Sequence, residues 1–240
     1  MFSSIFKSCC NTSFVFITSI TKRPRLFTIF SSGRHRLASG FVCRSNNEKI
    51  TRRHVSIYTK TGDKGGSMLF SGERRKKSDM RFQALGTIDE LSSSLGMSIA
   101  FAEESKHSIT DSLVKIQCIL QDIGSFVATP LSSAREAHTS KLHFNPKEVE
   151  ELEKAIDYMS SQLPALTNFI LPSGGKTSSS LHLARAVCRR AERHLADLLL
   201  EEELNEDVFR YINRLSDYLF MLARYSAMQE GREEHIYRPH

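Results

Sequence analysis

The first 47 residues contain neither Asp nor Glu, and Glu48 is the first acid of the chain. The same stretch carries Lys7, Lys22, Arg23, Arg25, Arg34, Arg36 and Arg44, many serines and scattered Phe, Ile and Leu. An Arg-rich, Ser-rich, acid-poor leader has the composition of an organelle transit peptide. It also accounts for the charge of the whole protein. The net charge of +6 comes from 33 basic and 27 acidic residues, and without the leader's seven the balance is 26 against 27. The remainder therefore offers no bulk field for nucleic acid. Long apolar runs are missing too. "SFVFITSI" is far too short to span a bilayer.

Cysteine is sparse, with residues at 9, 10, 43, 118 and 188 and no Cys-x-x-Cys pair. That absence argues against a zinc site or a dithiol redox site. Cys118 and Cys188 fall on apolar helical stripes and are expected to be small core residues. No His-Glu-x-x-His occurs, and the two Glu-x-x-His motifs that a di-iron bundle needs are not supplied. "SSS" lacks a nucleophile elbow, and His182 is expected to serve as a structural hydrogen bonder.

What is present is helical periodicity. Phe82, Leu85, Ile88, Leu91, Leu95 and Ile99 step by three and four, as do Leu113, Ile116, Leu120, Ile123 and Val127. A third helix is expected from "NPKE", with Asn145 as N-cap and Pro146 at the first helical position, carrying Val149, Leu152, Ile156 and Met159. A fourth runs from about Thr177 to Leu200. A fifth follows Asn205 with Val208, Ile212, Leu215, Leu219 and Leu222. Five helices of this length joined by short links predict an all-α helical bundle.

A bundle does not name an activity, so the chemistry must come from the breaks in the pattern. "LPSGGKTSSSLHLARAVCRRAERHL" looks like a phosphate loop. That motif needs a glycine five residues before Gly175, and Ile170 stands there, so the reading fails. On a helical wheel Leu181, Ala184, Cys188, Ala191, Leu195 and Leu198 form the core stripe. Arg185, Arg189, Glu192 and Arg193 fall within about 100° on an adjacent face. Such a strip is either a solvated face or a grip on a polyanion such as a triphosphate. "TKTGDKGG" supplies Gly62, Gly65 and Gly66, which can turn several backbone N–H groups toward one anion. Asn213 and Asp217 share a face of the fifth helix, and Asp89 and Glu90 interrupt the stripe of the first. These positions are expected to form a buried polar network or a site wall.

"YTKTGDKGG", "SGERRKK", "ALGTIDELSSSLG", "LQDIGSFVATP", "FILPSGGKTSSSLHLARAVCRRAER" and "NRLSDYLFMLARY" together resemble the PduO-type ATP:cob(I)alamin adenosyltransferases, in particular their animal mitochondrial members. The similarity runs from Tyr58 to Tyr225. It implies a ferritin-like, up-and-down five-helix bundle over residues 51–240, preceded by a glycine-rich ATP-binding loop, with residues 1–50 as a transit peptide for the mitochondrial matrix. It implies a homotrimer with sites between subunits, and substrates ATP, with Mg2+, and cob(I)alamin. The products would be adenosylcobalamin and triphosphate, the finished cofactor being handed to an acceptor enzyme. The alternative is a carrier or regulatory protein that binds both ligands without turnover.

The resemblance also implies roles for residues. Thr59, Lys60, Thr61, Gly62, Ser67 and Lys77 would cradle the phosphates. Arg189, Arg190, Ala191, Glu192, Arg193 and Asn213 would complete the ATP pocket. Phe169 would close the lower face of the corrin and displace its axial base. Arg185 would pair across the interface with Asp89, and Asp217 would stand near the site. The family commonly carries small hydroxyl residues after "TGDKG", whereas Gly66-Ser67-Met68 stands here, so Met68 could serve only through its backbone.

Overall fold

In the computed structural model the described residues are 58, 60–132 and 142–239. The expected leader, Thr59 and most of the polar link after Pro130 lie outside them. Tyr58 and Lys60 fall in a separate unit from the body that begins at Thr61. Lys60 has φ 58°, and its Nζ lies 5.8 Å from the centre of the Tyr58 ring.

The body contains, among the described residues, five long helices and two very short sheets. The helices are α1 (Met80–Glu104), α2 (Thr110–Val127), α3 (Lys147–Gln162), α4 (Gly175–Leu200) and α5 (Glu206–Gln229). β1 (Gly66–Met68) pairs antiparallel with β2 (Arg74–Lys76), Ser67 opposite Arg75. β3 (Ile170–Leu171) pairs antiparallel with β4 (His235–Ile236) near the C-terminus.

The apolar stripes do what their spacing demands. The expected stripe residues of α2, α4 and α5 are all buried. In α1, Ile88, Leu91 and Leu95 are buried, Leu85 and Ile99 pack at the margin of the core, and Phe82 is half-buried. A helix presenting one apolar face gains little by standing alone, so the stripes meet in a single core. α1 and α4 run antiparallel. Lys176 at the start of α4 pairs with Glu104 at the end of α1, and Arg81 at the start of α1 pairs with Glu203 just past α4.

Helix ends follow capping chemistry. The Asp79 side chain accepts from the Arg81 N–H at 2.9 Å, and Asn205 accepts from Asp207 at 2.8 Å. Asn145 accepts from the Lys147 N–H at 3.2 Å, as expected, although the helix begins at Lys147, one residue past Pro146. α4 begins at Gly175, two residues before the expected start.

One core assignment is corrected. Cys188 is fully buried, its Sγ 3.4 Å from the Ile212 carbonyl, but Cys118 is exposed. Two residues past Ile116, it stands about 200° round the helix from the core stripe. No helix among the described residues is long and apolar enough to cross a membrane.

Candidate functional site

The arginines of α4 stand beside the core stripe and divide by partner. Arg190 forms an ion pair with Glu90 of α1. Arg193 Nη1 donates to the Arg189 carbonyl at 3.0 Å. Glu192 Oε1 accepts from Asn213 Nδ2 of α5 at 2.8 Å, so the strip's own acid is already engaged. The guanidinium of exposed Arg189 has no acidic partner among the described residues. Arg185, half-buried, lies 5.1 Å from the centre of the Phe220 ring, and its Nε is buried without a hydrogen-bond partner. Burial, with Arg185 close by, pushes the His182 pKa down and favours a neutral ring, which meets Phe220 edge to face. Ala191 is fully buried, so only its backbone adjoins the strip.

The glycine-rich segment forms a hairpin. The Gly65 N–H donates to the Gly62 carbonyl at 3.2 Å, and the Lys77 N–H donates to the Gly65 carbonyl at 2.9 Å. Gly65 has φ 75°, where a side chain would be strained. Arg74 Nη2 donates to the Thr61 carbonyl at 2.9 Å. Ser67 and Met68 sit in β1, half-buried, and Lys77 is exposed. The hairpin is tied to the bundle by fully buried Leu69 and by the Phe70 N–H, which donates to the Ala128 carbonyl at 3.0 Å. That anchor lies at the end where α1 starts. Glu90, which marks the level of the arginines on α1, is ten residues further, about 15 Å along the axis.

The other expected positions lie elsewhere on the bundle. Phe169 is 84% exposed, on the loop before β3. Asp89 is half-buried with no partner among the described residues, and burial holds its carboxyl above the usual range. Asn213 and Asp217 are both exposed, so the expected buried network on α5 is not there. Asp217 lies 3.6 Å from Arg214, which in turn lies 3.0 Å from Glu153 of α3.

The Gly-Gly-Lys-Thr stretch has a structural explanation. Gly174 and Gly175 have φ 88° and 96°. A Cβ on Gly174 would meet that of Ala227 at 2.5 Å, and one on Gly175 would meet Glu230 Oε2 at 2.7 Å. The end of α5 therefore lies against the start of α4, where a carboxylate suits the helix dipole. Glu230 also lies 3.0 Å from His107 Nε2. His107 closes the one Glu-x-x-His stretch of the folded body, Glu104 to His107, but the helix has ended at Glu104 and Lys106 turns the chain at φ 56°.

Two buried cations escaped the sequence reading. Arg81 donates to the Val127 carbonyl and to Glu203, each at 2.8 Å. Arg224 donates to Glu234 and to the Pro164 carbonyl, each at 3.1 Å. Both stood in polar-looking positions of their helices, and their partners are remote in sequence.

Comparison with known proteins gives one answer. The pattern of the Cobalamin adenosyltransferase family matches residues 57–226. The chain is 57% identical over 184 residues to a corrinoid adenosyltransferase of Mus musculus, covering 77% of this chain and 78% of that protein. It is 41% identical over 179 residues to a corrinoid adenosyltransferase of Bacillus subtilis, covering 74% and 89%. A variant PduO-type ATP:corrinoid adenosyltransferase from Lactobacillus reuteri, solved in complex with cobalamin and ATP, superposes with a TM-score of 0.71 at 37% identity, covering 77% of this chain and all of the other.

Proposed function

We infer the activity from one premise: the chain belongs to the cobalamin adenosyltransferase family. It transfers the 5′-deoxyadenosyl group of ATP to the cobalt of cob(I)alamin. A Co–C5′ bond forms, the C5′–O bond breaks, and triphosphate departs. The observation that carries this reading is the 57% identity to a corrinoid adenosyltransferase across 77% of the chain. Reduced cobalt is itself the nucleophile, so the protein needs no Ser or Cys for attack. Its work is positioning and charge stabilisation.

The residues fit that work. Negative charge grows on the departing triphosphate, and Arg189 and Arg193 present planar forks on an exposed face. Glu192 and Asn213, bonded to each other, wall the same face. Thr59, Lys60, Thr61, Gly62, Ser67 and Lys77 supply amides, hydroxyls and charge for the phosphates, and Met68 its backbone. Mg2+ enters as part of MgATP. Among the described residues no three His, Cys, Asp or Glu converge, so the triphosphate oxygens would hold most of its coordination sphere.

The hairpin anchor and the arginines stand about 15 Å apart along one bundle. We assign the completed site to the junction of neighbouring chains in a homotrimer. Asp89, desolvated and unpaired among the described residues, and Arg185, with a buried orphan Nε, are the complementary groups of that junction. Phe169, exposed on the loop before α4, is the residue that would close the lower face of the corrin. Asp217 stands at the edge of the site.

Residues 1–50 act as a mitochondrial transit peptide and residues 51–240 as the enzyme, with the matrix as the working compartment and a cobalamin-dependent acceptor enzyme taking the product. Import of the full chain into isolated mitochondria, compared with a chain starting at Thr51, tests the first part. The activity is tested by mixing the full chain with MgATP and chemically reduced cobalamin and following the alkylated corrin spectrum. A protein that binds both without forming it is a carrier and not this enzyme.

A further inference from the structure

The loop that carries Phe169 is held at three places by a tail lying beyond the family match. That match ends at residue 226. Past it, the chain turns at Gly231, φ 61°, and runs back along the loop as β4. The His235 N–H donates to Ser173 Oγ at 2.8 Å, and Ser173 Oγ in turn donates to the Leu171 carbonyl at 2.8 Å. Ile170 and Leu171 pair with Ile236 and His235. The Tyr237 N–H donates to the carbonyl of Phe169 itself at 2.8 Å.

The far flank is held through one buried side chain. Arg224, its side chain 5% exposed on α5, grips both oxygens of Glu234 through Nε, at 3.1 and 3.2 Å. Its Nη2 donates to the carbonyl of Pro164, where the loop leaves α3. One guanidinium thus ties the start of the loop to the tail that clamps its end. The Phe169 ring, 84% exposed, has no packing of its own to fix it. Its direction is set by backbone hydrogen bonds from the tail and by this cation.

We propose that Arg224 and the C-terminal strand are positioning elements for Phe169, setting the ring at the height where it excludes the axial base of the corrin. This rests on the reading of Phe169 given above. A loop with an exposed aromatic and no anchors would sample many ring positions, and a closely fitted reaction suffers from displacement of about 1 Å.

The test compares two variants of one residue in the full chain. Tyr237→Ala keeps the backbone N–H that donates to Phe169, and Tyr237→Pro removes it while suiting an extended chain. The readouts are the fraction of bound cob(II)alamin with its axial base displaced, taken from the absorption spectrum, and the KM for MgATP. Tyr237→Pro is expected to lower the base-displaced to base-bound ratio about fivefold relative to Tyr237→Ala, the factor one net hydrogen bond supports. Its KM for MgATP and its Tm should match those of Tyr237→Ala. Ser173→Ala, which removes the acceptor of the His235 N–H, should shift the ratio in the same direction. Equal ratios in the two Tyr237 variants overturn the proposal. A fall in Tm together with a parallel rise in KM for MgATP also overturns it, because the tail would then be a general support. Wild-type protein that forms no alkylated corrin counts against the enzyme reading and leaves this comparison of bound cob(II)alamin intact.

Discussion

Replacing Glu203 by alanine should be among the most damaging single changes in the bundle, although Glu203 lies in a turn. Its Oε2 accepts from Arg81 Nη2 at 2.8 Å and from the Leu131 N–H at 2.8 Å. The Arg81 side chain is only 2% exposed, and burial already pulls its pKa below the ordinary value, with Glu203 acting the other way. Alanine would leave that cation buried with only the Val127 carbonyl. Breaking a buried pair from one side costs about 3–5 kcal/mol. At about 2–4 °C per kcal/mol for a chain of this size, Tm should fall by roughly 6–20 °C, read by circular dichroism. Adding Arg81→Met removes the orphaned charge, so the double variant should recover part of the loss. Burial works to raise the Glu203 pKa, but the Ser132 and Leu131 donors and Arg81 outweigh it and hold it below its ordinary value. A carboxylate so depressed stabilises the fold above its unfolded pKa and loses that contribution as pH falls through the folded one. The gap between wild type and Glu203→Ala should therefore be complete above about pH 5 and narrow at lower pH. A Tm change under about 2 °C, or a double variant no better than the single, would refute the reasoning.

Other expectations concern the site. Arg189→Ala should lower kcat/KM about 30- to 1000-fold, the range for losing one charge donor aimed at a developing anion, with Tm unchanged because the side chain is exposed. Steady-state kinetics that match wild type would remove Arg189 from the triphosphate. Phe169→Ala should leave Tm and the KM for MgATP unaltered and change the spectrum of bound cob(II)alamin, since the ring is exposed and packs on nothing that the core needs. Asp89 titrates above the usual range through burial. An acid raised in this way loses folding stability as pH climbs from the unfolded value through the folded one. Asp89→Asn should thus raise Tm at pH 7 in a lone chain and lower it in a trimer where Arg185 of a neighbour pairs with it. A raised Tm in material shown to be trimeric by sedimentation would sink that pairing.

The apolar stripes were legible because burial in a bundle is periodic, and the period survives in the residue order. Residues such as Leu120, Leu195 and Leu219 could be placed inside from spacing alone, and the same spacing exposes the mistake at Cys118. The end signals were local as well. Asn145 and Asn205 bond within their own first turns, so the sequence carries the whole interaction. What could not be read was non-local. Arg81 meets Glu203 and Arg224 meets Pro164 across 122 and 60 residues. A two-residue strand such as β4 has too little pattern to announce itself. Asn213 and Asp217 were expected in a buried network or a site wall because their neighbours Ile212 and Leu215 are apolar, and their exposure removes the first of these. The glycines before Lys176 resemble a phosphate signature whose spacing fails at Ile170, and the sequence left them without a role. Only the arrangement of α5 against α4 shows that close approach is what they serve.

That contrast bears on where a phosphate can sit. A helix start with free N–H groups is an anion site, and a chain that read only Gly175-Lys176-Thr177 would put the triphosphate there. The start of α4 already holds the protein's own carboxylate, Glu230, beside His107. A second anion would meet that charge at close range. Further along the same helix the balance reverses. Glu192 is taken by Asn213 and Glu90 by Arg190, which leaves Arg189 with no acid among the described residues and Arg185 with a buried Nε unpaired. The cations without an acid stand at mid-helix, which is where the proposed triphosphate grip and the proposed junction with a neighbouring chain would put their anions.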